Sequence, residues 1–160
     1  AMTGWRIGYT IASEEWTKLM VRLQSHSATH PTSFVQYACA RALEDADDSI
    51  AAVNEMLEEY DRRRKYLIPA LNNISGFRCA AQEGAFYAFV DVKGLIGEKF
   101  GSSADVAEAM LNEAFIAVTD GAAFGAEGFL RFSYATSMQN LRTAVERLGE
   151  IFGTSEAQTA

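Results

Sequence analysis

Cysteine and histidine are scarce in this chain, and no apolar run is long. Two cysteines and two histidines occur among 160 residues. Cys39 and Cys79 stand far apart in no metal or redox spacing, so a reduced, cytoplasmic chain is the default. His26 and His30 are spaced i, i+4, which on a helix turns two ligands to one face. No third ligand is near in sequence and Pro31 disturbs the geometry, so no metal is expected. No apolar stretch approaches the roughly 18 residues of a membrane span. Cations are outnumbered, 14 Lys and Arg against 21 Asp and Glu, for a net charge of −7. Such an acidic chain lacks the clustered cations that nucleic acid or an anionic membrane needs. Neither an acidic pair, a Ser–His arrangement nor a phosphate loop stands out, and there is no internal repeat.

What is present is enough apolar residue, 49%, for one packed domain. Residues 5–12, Trp-Arg-Ile-Gly-Tyr-Thr-Ile-Ala, predict a buried strand. Ser13 then caps a helix with Glu14 and Glu15 in its first turn, and Pro31 opens a second helix through Phe34, Val35, Ala38 and Leu43. An acidic junction at residues 44–48 leads into a long helix from about Ser49. Its stripe is Ile50, Val53, Leu57, Tyr60, Leu67 and Leu71. The charge run Asp61-Arg62-Arg63-Arg64-Lys65 reads as the solvated face of that helix, with ion pairs to Glu58 or Glu59 at helical spacing.

Beyond Ser75-Gly76 the period becomes two. Residues 77–80 and 85–91 predict neighbouring strands joined through Glu83-Gly84, and a helix follows from Ser102. Residues 116–118 predict a short strand. Residues 129–135 predict the clearest one, with Leu130, Phe132 and Tyr134 on one face and Arg131 and Ser133 on the other. Thr136-Ser137-Met138-Gln139 reads as a capping box ahead of a last helix bearing Leu141, Val145, Leu148 and Phe152. The small polar tail from Gly153 reads as disordered. The elements define an α/β class with a break near Asp48, giving parts 1–47, 48–153 and a tail at 154–160.

Two arginines stand out. Arg6, in Gly4-Trp5-Arg6-Ile7-Gly8, offers a planar fork of donors with glycines that allow close approach. The bland reading is a stacked or surface ion pair, and the sharp one an anion site. Arg131 is a lone cation in an apolar strand, costly there without an anionic partner. A structural salt bridge and a clamp for a carboxylate are the two alternatives.

Ala1-Met2-Thr3-Gly4-Trp5-Arg6 and Arg131-Phe132-Ser133-Tyr134-Ala135-Thr136 resemble two motifs of the fold-type-I, class I/II aminotransferases of the aspartate-aminotransferase kind, which use pyridoxal phosphate. The resemblance runs in order along nearly the whole chain. It implies that Arg6 grips the cofactor phosphate and that Arg131 binds the α-carboxylate of the amino acid. It also implies an α/β small C-terminal domain, with a mixed or antiparallel sheet covered by helices, preceded by the end of the large domain. In the family the Schiff-base lysine lies three residues before the position of Ala1, so no catalytic residue is expected here. The 160 residues are expected to be inactive alone and not to retain the cofactor, while the intact enzyme is expected to be a cytoplasmic homodimer acting on an amino acid and a 2-oxo acid. Strand 5–12 would have lost its sheet neighbours. Gly84-Ala85-Phe86-Tyr87 and Gly121-Ala122-Ala123-Phe124-Gly125 resemble family segments beside the substrate cleft, with Gln82 and Asp120 where the family has proline. That exchange is expected to loosen both turns and, at Asp120, to add a charge at the cleft rim. A carbon–sulfur lyase of the same fold, or the aminotransferase-like effector domain of a transcription regulator, are alternatives with similar motifs.

Overall fold

A computed structural model gives the structure of residues 3–97 and 99–154. The chain divides into two compact units, Ala1–Leu57 and Glu58–Ala160. The division lies inside a long helix, C-terminal to the break expected at Asp48.

The first unit is helical. After a 3-10 turn, Thr3–Trp5, come α1 (Glu14–Ser27), α2 (Ser33–Glu44) and the first part of α3 (Ala46–Asn72). Ser13 takes the N-cap position of α1, as the sequence predicts. Pro31 lies outside α2, which is capped at Thr32 instead. The strand expected at 5–12 does not form among the described residues. Arg6 turns the chain with φ 54, and Tyr9 and Ile11 are exposed. The reason is hydrogen bonding. An extended run needs a neighbouring edge, and the helices of this unit satisfy their own backbones. Trp5 meets Phe34 edge-on at 6.2 Å. His26 sits in the last turn of α1, whereas His30 follows the helix end and its Nδ1 lies 2.7 Å from the Pro31 carbonyl. The two rings therefore do not share one helical face.

The second unit is a four-stranded antiparallel sheet covered by helices. Its strands are β1 (Arg78–Cys79), β2 (Tyr87–Asp91), β3 (Thr119–Asp120) and β4 (Phe129–Ser133), in the order β1-β2-β4-β3. Helices α4 (Ser103–Ala109) and α5 (Met138–Phe152) complete it. The residues expected to form a strand at 116–118 precede the observed β3. Phe115, left-handed at φ 56, ends a π turn immediately before them.

Alternation along β4 is as the sequence predicts. Leu130, Phe132 and Tyr134 are buried, together with Ala88 and Val90 of β2, Leu67 and Leu71 of α3, Val106 of α4, and Leu141 and Leu148 of α5. Packing of the α3 stripe begins at Tyr60; the earlier Ile50, Val53 and Leu57 are exposed. α3 also carries Pro69 within its last turn, where proline has no N–H to give the carbonyl four residues back.

The cap of α5 is Ser137, whose Oγ accepts from Asn140 N at 3.1 Å, and Asn140 Nδ2 donates back to Thr136 Oγ1 at 2.9 Å. The expected box is shifted by one residue: Ser137 rather than Thr136 is the N-cap, and Asn140 rather than Gln139 reaches back, to the Thr136 hydroxyl. Gly153 and Thr154 are held rather than loose. Ser75 N donates to the Gly153 carbonyl at 3.0 Å and Thr154 bridges to Ile74. Residues 155–160 lie outside the described residues, as do Ala1 and Met2.

The charge run on α3 does more than face solvent. Glu59 takes Arg62 and Arg63, each at 2.7 Å, and Asp61 takes Arg64 at 2.7 Å and Lys65 at 2.6 Å. Arg64 Nη1 also donates to the Gln82 carbonyl at 3.1 Å. The hydrogen bonds from Arg62 and then Arg63 hold the Glu59 carboxyl at about 2, down from 4.5. A carboxyl whose pKa is depressed on folding stabilises the fold above its unfolded value, and that contribution is lost as pH falls through about 2. Glu59→Gln should flatten the fall in melting temperature between pH 4.5 and about 2 while changing little at pH 7 beyond a constant offset. Melting curves across that range check it.

Candidate functional site

Period-two alternation fixes what the outer face of the sheet presents. With Ala88, Val90, Leu130 and Phe132 turned into the core, Tyr87, Phe89 and Asp91 of β2 and Phe129 and Arg131 of β4 are half-buried on the other side. The register sets Phe89 opposite Arg131 and Tyr87 opposite Ser133, so Tyr87 is a diagonal neighbour of Arg131. On the other flank Thr119 of β3 pairs with Arg131.

The Arg131 guanidinium carbon lies 4.4 Å from the Tyr87 ring centre and 4.5 Å from that of Phe124. Its Nη2 donates to Thr119 Oγ1 at 3.3 Å. Among the described residues it has no carboxylate partner. Of the two alternatives the sequence leaves for Arg131, the structural salt bridge is therefore not made within them. A guanidinium has five N–H donors, and only the one to Thr119 is engaged among the described residues.

Phe124 comes from a 3-10 turn, Gly121–Phe124, between β3 and β4. Gly121 is obligatory. A Cβ there would meet the Ala126 carbonyl at 2.4 Å and the Phe129 carbonyl at 2.6 Å. Gly125 closes the turn in the left-handed region, φ 74, donating its N–H to the Ala122 carbonyl at 3.0 Å.

Asp120 starts the turn at φ −60, a value proline would also have. Its Oδ1 accepts from Ala122 N at 3.2 Å and from the fully buried Ser103 Oγ at 2.7 Å. Ser103 Oγ also lies 2.9 Å from Glu127 Oε1 and accepts from Gly128 N at 3.1 Å. Where the resemblance implies a fixed proline ring, Asp120 holds the turn by hydrogen bonds, with one carboxylate oxygen directed to Ser103 and Ala122. Sequence reasoning missed Ser103 and Glu127; a serine at the start of a helix reads as a cap, and only the fold brings Glu127 to it.

The other flanking turn is held likewise. Gln82 is tied to Arg64, and Ala85 sits at φ 60. A left-handed alanine costs about 1–2 kcal/mol. Tyr134 secures it, with Oη donating to the Ala85 carbonyl at 3.0 Å and N–H to the Phe86 carbonyl at 3.0 Å.

Arg6 belongs to the first unit. It is exposed and makes no hydrogen bond or ion pair among the described residues. No group of three or more His, Cys, Asp or Glu among the described residues forms a metal cluster. No described helix is long and apolar enough to cross a membrane.

A four-stranded antiparallel sheet under helices belongs to the α/β class, and its strand β4 carries on the open side an arginine flanked by two aromatic rings, with no carboxylate partner among the described residues. Residues 1–148 match the family described as aminotransferase class I and II, and the chain belongs to that family. It is 43% identical over 155 residues to the aspartate aminotransferase of Pyrococcus abyssi, covering 94% of this chain and 38% of that one. It is 41% identical over 158 residues to the aspartate/prephenate aminotransferase of Nitrosomonas europaea, covering 94% of this chain and 39% of that one. Among solved structures, the aspartate aminotransferase of Thermus thermophilus with maleate superposes with a TM-score of 0.85 at 39% identity, over 94% of this chain and 38% of that one. The aromatic aminotransferase of Pyrococcus horikoshii OT3 gives 0.83 at 43% identity, over 94% and 39%. The chain thus spans under two fifths of the length of the relatives it matches.

Asp120→Ala should destabilise the second unit by about 0.5–2 kcal/mol, the usual cost of a lost cap. Asp120→Asn keeps the acceptor oxygen and should lose far less, because the role is that of an acceptor rather than of a charge. Urea unfolding of the two variants checks this.

Proposed function

We propose that the intact protein moves an amino group between an aspartate-like amino acid and a 2-oxo acid with pyridoxal phosphate. The observation that carries this reading is Arg131, a strand cation held by two rings and a hydroxyl with no carboxylate partner among the described residues. Amino acids and 2-oxo acids share a carboxylate, whose two oxygens match the guanidinium fork. Arg131 would clamp it, fixing the Cα–H bond for proton removal through orientation. The family membership and the names of the relatives support the same chemistry.

Arg6 fits the cofactor phosphate. It is exposed and without a partner among the described residues, and its left-handed backbone is a strain of the kind found at ligand sites. Arg6 would hold that phosphate by charged hydrogen bonds worth roughly 1.5–3 kcal/mol each. When bound, pyridoxal phosphate supplies an electron sink for the carbon that loses its proton. Residues 1–47 would then be the end of the large cofactor-binding domain and 48–153 the small domain, in a cytoplasmic homodimer. On this reading the lysine that forms the Schiff base would not be among these 160 residues, and the chain alone should be inactive.

Transamination kinetics on the full-length protein carrying this sequence test the reading. Arg131→Gln should lower kcat/KM for the amino acid by roughly tenfold to a hundredfold or more while cofactor absorbance persists. Arg6→Gln should weaken cofactor retention instead. Unchanged kcat/KM in Arg131→Gln would sink the assignment, and turnover by the purified 160-residue chain would sink its inactivity.

A further inference from the structure

Arg131 could have been held by an acidic neighbour, yet it is held by rings. The difference matters chemically. A carboxylate partner consumes the donors it binds, whereas an aromatic face attracts the guanidinium through its π-cloud and leaves every N–H free. The Tyr87 and Phe124 ring centres lie 4.4 Å and 4.5 Å from the Arg131 carbon. Among the described residues those two rings do not touch each other; Tyr87 meets Phe86 instead, ring centres 4.6 Å apart. Two rings that close to one carbon and clear of each other place the cation between them.

Resting on the reading of Arg131 as a carboxylate clamp, we propose that Tyr87 and Phe124 are its positioning residues. The two rings cover the faces of the planar guanidinium, Thr119 Oγ1 takes one Nη2 hydrogen, and the remaining donors are confined to one plane along the open edge. A substrate carboxylate then meets a fork whose plane is set before it arrives, and little side-chain freedom is lost on binding. The placement is built from the backbone outward. Tyr87 is fixed by the β2–β4 register, and Phe124 by a turn that Asp120, Ser103 and Gly121 hold. Phe124 is 51% exposed, so its ring stands open to an incoming ligand as well as to the cation.

Succinate binding and amino-acid kinetics on the full-length, cofactor-loaded protein test this. Tyr87→Leu and Phe124→Leu remove the ring and keep apolar bulk. Each should raise the Kd for succinate and the KM for the amino acid roughly three- to thirtyfold, with cofactor absorbance and melting temperature unchanged. Tyr87→Phe and Phe124→Tyr keep a ring and should keep wild-type values. A structural role alone would lower the melting temperature without a selective loss of succinate. Leucine variants that bind succinate as wild type does overturn the positioning role, provided Arg131→Gln binds it more weakly. If Arg131→Gln is also unimpaired, the clamp itself has failed, and this inference with it. Should the leucine variants not fold, the wild-type protein supplies a second readout. The Arg131 Nε–H resonance, identified by its loss in Arg131→Lys, should be shifted by the rings and move on adding succinate. A resonance at the position of a free arginine overturns the proposal.

Discussion

Strand β4 is hydrogen-bonded on both flanks, to β2 and to β3, and its register is the constraint on which the rest depends. A slip of one residue would drive Arg131 into the core and turn Leu130, Phe132 and Tyr134 out to water. Burying three large side chains stabilises by several kcal/mol, while burying an unpaired guanidinium costs several. The two preferences agree, so the sheet has one register, and the cation can stand only on the open face. That face is where its neighbours are brought by the same pairings.

The loops around this face are held by polar side chains from helices and strand ends alike. Asp120 and Ser103 brace the turn that carries Phe124, and Arg64 of α3 and Tyr134 after β4 brace the segment that leads into Tyr87. Each brace satisfies a backbone group that would otherwise go unpaired at a turn. The result substitutes hydrogen bonds for the conformational restriction a proline would impose at Gln82 and Asp120. The two devices differ in character, since a proline acts by narrowing the unfolded ensemble and a hydrogen bond by stabilising the folded one.

Much of this was legible in the residues. The alternation of β4, the pairing of the two strands around Glu83-Gly84, the cap at Ser13 and the helical stripes near Leu67 and Leu141 all follow from local periodicity. The aminotransferase family was legible too, because its motifs at Trp5-Arg6 and Arg131-Phe132-Ser133-Tyr134 are contiguous. What misled was the run at 5–12. Its composition suits a strand, but a strand exists only against a neighbour, and no described residue provides one.

By itself the sequence determined which residues face inward along each element, since side-chain direction follows the backbone repeat of 2.0 or 3.6 residues. It also determined that a cation stands in β4. Only the tertiary structure decided that this cation stands against Tyr87 and Phe124 with no acid beside it among the described residues, and that Asp120 turns inward to Ser103. Those partners come from different strands, turns and helices, and they meet through strand register and turn geometry, which no local repeat encodes.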